Sequence, residues 1–179
     1  MSKIIELIKK IPKAELHCHI EGTLESDLLF KLAKRNDIRI PFANVNEVKS
    51  AYNFSNLESF LNIFYQGSKV LITEQDFFDL AWAYALKCQE DNVVHTEIFF
   101  DPQTHVNRGI KFDVVINGIY KALLKAEKEL GISSKIIMCI LRHLDEDSAS
   151  KTLNQALIHK NKIIGVGLDS SEAGHPPSK

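Results

Sequence analysis

His17 and His19 stand one residue apart in an apolar stretch running from Ala14 to Ile20. On a β-strand successive side chains alternate between faces, so both imidazoles project to one side and Cys18 to the other. Two neutral imidazoles on one face of a strand can begin a metal site. A chain with seven histidines also meets such a pair by chance, so spacing alone leaves a surface or core pair open. A second polar group, Asp169, Ser170, Ser171 and His175, follows the apolar run Ile163 to Leu168. An acid and hydroxyls just past a strand end suit a pocket wall, and they suit an ordinary turn as well.

Periodicity supplies the elements that would position these groups. The strand around His17 leads through Gly22 to a helical pattern over Leu24 to Arg35, with Leu24, Leu28, Leu29 and Leu32 on one side. After a polar passage, Ser55 and Glu58 have capping-box spacing ahead of a helical run carrying Leu57, Phe60, Leu61 and Phe64. Thr73 is the expected N-cap of a helix from Glu74 to about Glu90. Val93 to Phe100 reads as a strand, and Phe112 to Leu130 as a helix that Gly131 closes. Ile136 to Leu141 reads as a buried strand, Asp147 to Ile158 as a helix and Ile163 to Leu168 as a fourth strand.

Strands separated by helices call for a parallel α/β sheet, because parallel neighbours need long crossovers. An open doubly wound sheet and part of a (β/α)8 barrel both fit that order. The distinctive polar residues follow the first, second and fourth strands, and C-terminal strand ends are where a barrel collects its chemistry. The expected fold is therefore the first half of a (β/α)8 barrel, one partial domain over residues 1–179 cut after its fourth strand.

Composition narrows the partners. A formal net charge of -1 gives no positive field to collect a polyanion, so a small molecule is expected rather than nucleic acid. No stretch approaches the ~20 apolar residues of a membrane span, and the start lacks the pattern of a signal peptide. Cys18, Cys88 and Cys139 are far apart, odd in number and without a CxxC pair, which argues against disulfides and against a thiolate zinc site. They read as reduced thiols of a cytoplasmic protein. Glu97, on the second strand, could be mistaken for a general acid. His95, His105, His143 and His159 read as solvated or hydrogen-bonded histidines.

Three passages together resemble one family. The segments Pro12 to Leu24, Val94 to His105 and Gly165 to Pro177 are similar, in order, to the adenosine and adenine deaminases, and the second and third resemble the adenine-specific branch. The resemblance implies that His17 and His19 are ligands of one zinc ion per complete active site. It implies attack of a zinc-activated water on carbon 6 of a purine, with a glutamate protonating the adjacent ring nitrogen and ammonia leaving. Adenine would give hypoxanthine, a step of purine salvage. Glu21 falls where nucleoside-specific relatives carry an aspartate that contacts the sugar, so a glutamate there leaves less room for ribose. Glu172 falls where those relatives have glycine, and its carboxylate could accept a hydrogen bond from the ring N–H that only the free base has. Phe60, Leu61 and Phe64 fall on a helix that lids the purine pocket in such enzymes, although their spacing alone reads as core packing.

By the same resemblance the remaining ligands and the catalytic glutamate belong to strands five, seven and eight, so no catalytic residue is assigned within these residues. The parent is expected to deaminate adenine while the 179-residue chain alone does not. An adenosine deaminase is the enzyme alternative, and a non-catalytic fragment is the alternative from another class. Exposed barrel edges would favour self-association.

Overall fold

The structure, a computed structural model, describes residues 3–178. Its elements are α1 (Lys3–Lys10), β1 (Lys13–His19), a 3-10 turn (Ile20–Thr23), α2 (Ser26–Arg35), α3 (Val45–Ala51) and α4 (Leu57–Ser68). There follow α5 (Glu74–Glu90), β2 (Val93–Phe100), α6 (Pro102–Val106), α7 (Phe112–Leu130), β3 (Ser133–Leu141), α8 (Glu146–Leu157) and β4 (Ile163–Asp169). The strands form one sheet in the order β1-β2-β3-β4, and every pairing is parallel. This is the expected arrangement of four consecutive β/α units of a (β/α)8 barrel.

One face of the sheet is covered by helices. Ile98 and Phe100 of β2 and Ile136 and Met138 of β3 are fully or almost fully buried in one core with Phe77 and Leu80 of α5 and Ile116 and Ile119 of α7. Burying each such side chain contributes about 1.5–3 kcal/mol, so this layer dominates the stability of the sheet. The opposite face carries His17, His19 and Phe99. The Phe99 ring lies 4.5 Å from the His17 ring and 5.2 Å from that of His19.

The bounds depart from the sequence expectation where polar or weakly periodic residues are recruited by neighbours. β3 begins at Ser133 rather than Ile136, because Ser133 and Ser134 pair with His95 and Thr96 of β2. The cap of α4 is Asn56 with Ser59: Asn56 Oδ1 accepts the Ser59 N–H at 2.9 Å, and the Ser59 hydroxyl oxygen accepts the Asn56 N–H at 3.2 Å. Ser55 and Glu58 do not form that box. Thr73 caps α5 as expected, and Gly131 ends α7 at φ +72°, a left-handed turn that glycine takes without a Cβ clash.

A buried carboxylate ties α2 to the start of α5. Asp76 Oδ2 accepts the N–H groups of Ile72 at 3.0 Å and Thr73 at 2.6 Å, and the Asn36 amide at 2.8 Å. Arg35 donates to its other oxygen, and the Asp76 side chain has no exposed surface. Burial pushes this carboxyl up, but those backbone and side-chain donors outweigh it and hold its pKa below the ordinary value. A depressed pKa contributes stability that is present above the unfolded value near ~3.9 and lost as pH falls through the folded value. Asp76→Ala is expected to cost about 3 kcal/mol and to lower the melting temperature at neutral pH, because it strands Arg35 and several donors. The difference from the parent should shrink as melting is repeated toward acid pH; a constant difference would show that the charge is irrelevant.

Candidate metal and substrate site

Parallel register brings the C-terminal ends of the strands level. His19 pairs with Phe99, Cys139 with Gly167 and Leu141 with Asp169. The consequence is a group that no local spacing contains: donor atoms of His19, Asp101, Cys139 and Asp169 all lie within 4.8 Å of one another. His19 Nδ1 is 3.2 Å from Asp169 Oδ2 and 3.8 Å from Asp101 Oδ1. The His17 ring is 5.4 Å from that of His19, beside this group and outside it.

Electrostatics marks the group as one that favours a cation. The neighbouring carboxyl groups of Asp101 and Asp169 push His19 up to about 10, against the opposing effect of burial. Burial, with the nearby Glu21 carboxylate, raises Asp101 well above the ordinary carboxylate range. Burial also raises Asp169, yet hydrogen bonding with His19 and Asp101 prevails and leaves it below its usual value. Burial pushes Glu21 up to about 7. Glu21 Oε2, Asp101 Oδ1 and Asp169 Oδ1 are buried oxygens without a hydrogen-bond donor. Two carboxylates, Asp101 and Asp169, each with an orphaned oxygen, and an imidazole fit a divalent cation. Cys139 is the weakest donor of the group, because burial raises its thiol pKa strongly and keeps it protonated. A Cβ added at Gly167 would lie 2.9 Å from Cys139 Sγ and 3.3 Å from the Phe99 ring, so only glycine lets β4 approach here.

Above the group lies a cavity of about 360 Å³. Its polar wall is His17, His19, Asp101, Asp169, Ser170 and Glu172, and its apolar wall includes Phe60, Leu61 and Phe64 of α4. The three α4 residues expected to roof a pocket do line this one. Ser170 holds φ +75°, a left-handed conformation that costs a serine about 1 kcal/mol, and its Oγ lies 2.8 Å from the Tyr65 hydroxyl. Glu172 is 71% exposed at the rim, with Arg142 Nη1 3.7 Å away.

Two residues expected at the pocket are elsewhere. Glu21 has no exposed side-chain surface and is absent from the cavity wall; its Oε1 accepts the Asp101 N–H at 3.0 Å. Glu21 lies in the short turn over Ile20–Thr23, with its carboxylate buried against Asp101 and His105. Ser171 is half-buried next to Ser170 and does not line the cavity. Among the other histidines, His95 bonds Ser133, His143 bonds Ser170 and His159 bonds Asp113, as hydrogen-bonded histidines should. Sequence reasoning missed Asp101, Tyr65 and Arg142. Asp101 carried a usable signal, a carboxylate directly after a predicted strand, whereas Tyr65 and Arg142 carried none.

A parallel β/α sheet with a His and carboxylate group at its C-terminal strand ends defines the class of metal-dependent hydrolases built on barrel folds. The chain belongs to the adenosine deaminase family, whose pattern it matches over residues 12–179. It is 64% identical over 174 residues to an adenine deaminase of Acinetobacter baylyi, covering 97% of this chain and 52% of that relative. The solved adenine deaminase of Arthrobacter aurescens superposes with a TM-score of 0.90 at 45% identity, over 94% of this chain and 51% of that one. A Burkholderia ambifaria amidohydrolase solved with bound Zn superposes with a TM-score of 0.84 at 25% identity, over 96% of this chain and 48% of its own. The chain thus spans about half the length of the curated relatives it matches.

Proposed function

We propose that this chain is the first half of a zinc-dependent adenine deaminase that hydrolyses adenine to hypoxanthine and ammonia in cytoplasmic purine salvage. The observation that carries the reading is the His19, Asp101 and Asp169 group opening into a cavity with an aromatic roof, in a chain about half of a deaminase long. His17 and His19 would hold zinc together with ligands from the second half, with Asp101 and Asp169 beside them. Bound zinc would supply Lewis acidity and lower the pKa of a water toward ~7. The residues of this chain bind and orient. Phe60, Leu61 and Phe64 cover the flat apolar face of the base, and Ser170 and Glu172 offer polar contacts to its edge. Burial raises the pKa of Asp101 and hydrogen bonding lowers that of Asp169, so the two neighbouring carboxyls differ in acidity.

Adenine is favoured over adenosine because Glu172 is exposed at the rim beside Arg142, where its carboxylate can accept the ring N–H of a free base. In the full-length enzyme, Glu172→Gly is expected to lower the ratio of kcat/KM for adenine to that for adenosine by about tenfold, the loss of one hydrogen bond to a charged acceptor. An unchanged ratio would remove this residue from specificity. Absence of adenine turnover by the parent enzyme, loaded with zinc, would overturn the functional reading itself.

A further inference from the structure

Behind the metal group lies a buried hydrogen-bonded chain that touches no part of the cavity. Arg108, just beyond α6, directs Nη2 at His105 Nδ1 from 2.9 Å. A guanidinium only donates, so Nδ1 must accept, and the imidazole proton stands on Nε2. Nε2 lies 3.1 Å from Glu21 Oε1 and donates to it. The same oxygen accepts the Asp101 backbone N–H. His105 is fully buried, and burial together with Arg108 pushes its pKa down to about 3, in keeping with a neutral ring of one tautomer. Phe77 packs edge-on against that ring at 4.7 Å. Arg108 also donates to the carbonyls of Ser68 and Lys69 at 3.1 Å and of Leu71 at 3.0 Å, which fixes the C-terminal end of the roofing helix α4.

We propose that Arg108, His105 and Glu21 are positioning residues of the metal centre, acting through the backbone of Asp101. The inference rests on the reading of the site as a zinc centre. Asp101 stands where β2 ends, and nothing in the strand ladder continues past Phe100 to hold it. Its N–H is instead held by Glu21, whose orientation depends on a histidine tautomer set by Arg108. Each link passes a fixed direction to the next, so the chain acts on the metal group through the Asp101 backbone, two hydrogen bonds from His105. Glu21 therefore serves the centre from behind. The chain also couples the roof to the floor of the cavity, since Arg108 grips α4 and faces His105 with one guanidinium.

The test uses the full-length protein and zinc alone, titrated against a competing chelator, with the visible spectrum of the cobalt(II) form as a second readout. His105→Phe should weaken zinc by about tenfold, the low end for groups that act on a metal through its surroundings, and shift the cobalt bands, and His105→Gln, which retains a donor and an acceptor, should recover most of the affinity. Arg108→Met, at an exposed and more tolerant position, should weaken zinc by about threefold to tenfold. Parent affinity and an unshifted spectrum in folded His105→Phe overturn the proposal; if that variant does not fold, the same result in Arg108→Met does so. A full-length protein that retains zinc normally but does not deaminate adenine overturns the proposed function and leaves this inference standing. One that retains no metal overturns both.

Discussion

His19→Ala in the full-length enzyme is expected to lose stoichiometric zinc and to reduce adenine turnover by at least ~10³-fold. His19 is the group on which two carboxylates converge, with Asp169 Oδ2 at 3.2 Å and Asp101 Oδ1 at 3.8 Å. Removing the imidazole takes away one of the few protein ligands proposed for the zinc and leaves Asp101 and Asp169 facing one another without it. Water at pH 7 then reverts from a pKa of about 7 toward ~15.7, which sets the scale of the rate loss. His17→Ala should also abolish turnover by removing the second imidazole of the pair. Metal content by atomic absorption and turnover by loss of adenine absorbance are read on the same sample. A His19→Ala protein that keeps both zinc and activity would sink the assignment of the centre.

The difference between what sequence showed and what it hid follows from interaction range. β2 and α7 match their expected bounds because each is specified by its own residues, a β-branched and aromatic run and a long amphipathic repeat. The helices α1, α3 and α6 were not foreseen; they are short, and eight residues or fewer carry little period to detect. Missing α6 mattered most, because it places Gln103 and His105. Gln103 Oε1 accepts the Leu141 N–H at 2.8 Å and so joins β2's loop to the end of β3.

The site divides in the same way. His17 and His19 were legible because two residues on one strand face form a local pattern. Asp101 and Cys139 join His19 and Asp169 only through parallel register across four strands, a relation between residues up to 150 positions apart (169 − 19). Glu21 is the converse case: the family resemblance implies a substrate contact there, and the structure holds its carboxylate against the Asp101 N–H and His105. Position in a motif fixed the residue type there, while the local backbone fixed its direction.

The isolated 179-residue chain is expected to show no measurable adenine turnover and to self-associate at micromolar concentration. Both expectations follow from one structural fact, a barrel-type sheet whose outer strands lack a second neighbour among the described residues. β4 exposes Ile164 at 57%, Val166 at 54% and Leu168 at 45%. Leu157 and Ile158, at the end of the adjoining α8, are exposed as well. Unpaired strand edges bordered by apolar side chains recruit other chains, and contiguous apolar surface of this kind is rare on monomers. The chain also spans about half the length of its deaminase relatives, and on the proposed reading the remaining ligands and the general acid are expected from the second half. Loss of general acid catalysis alone removes about 10²–10⁴-fold, and an incomplete ligand set removes the activated water from the same transition state. Light scattering with size exclusion reads the association, and the absorbance assay reads turnover. A monodisperse monomer that unfolds cooperatively would contradict the first expectation, and adenine turnover by that monomer would contradict the second. Mixing the chain with a separately expressed second half supplies the converse result: if the exposed β1 and β4 edges are the surfaces of barrel closure, association should be suppressed and turnover restored together.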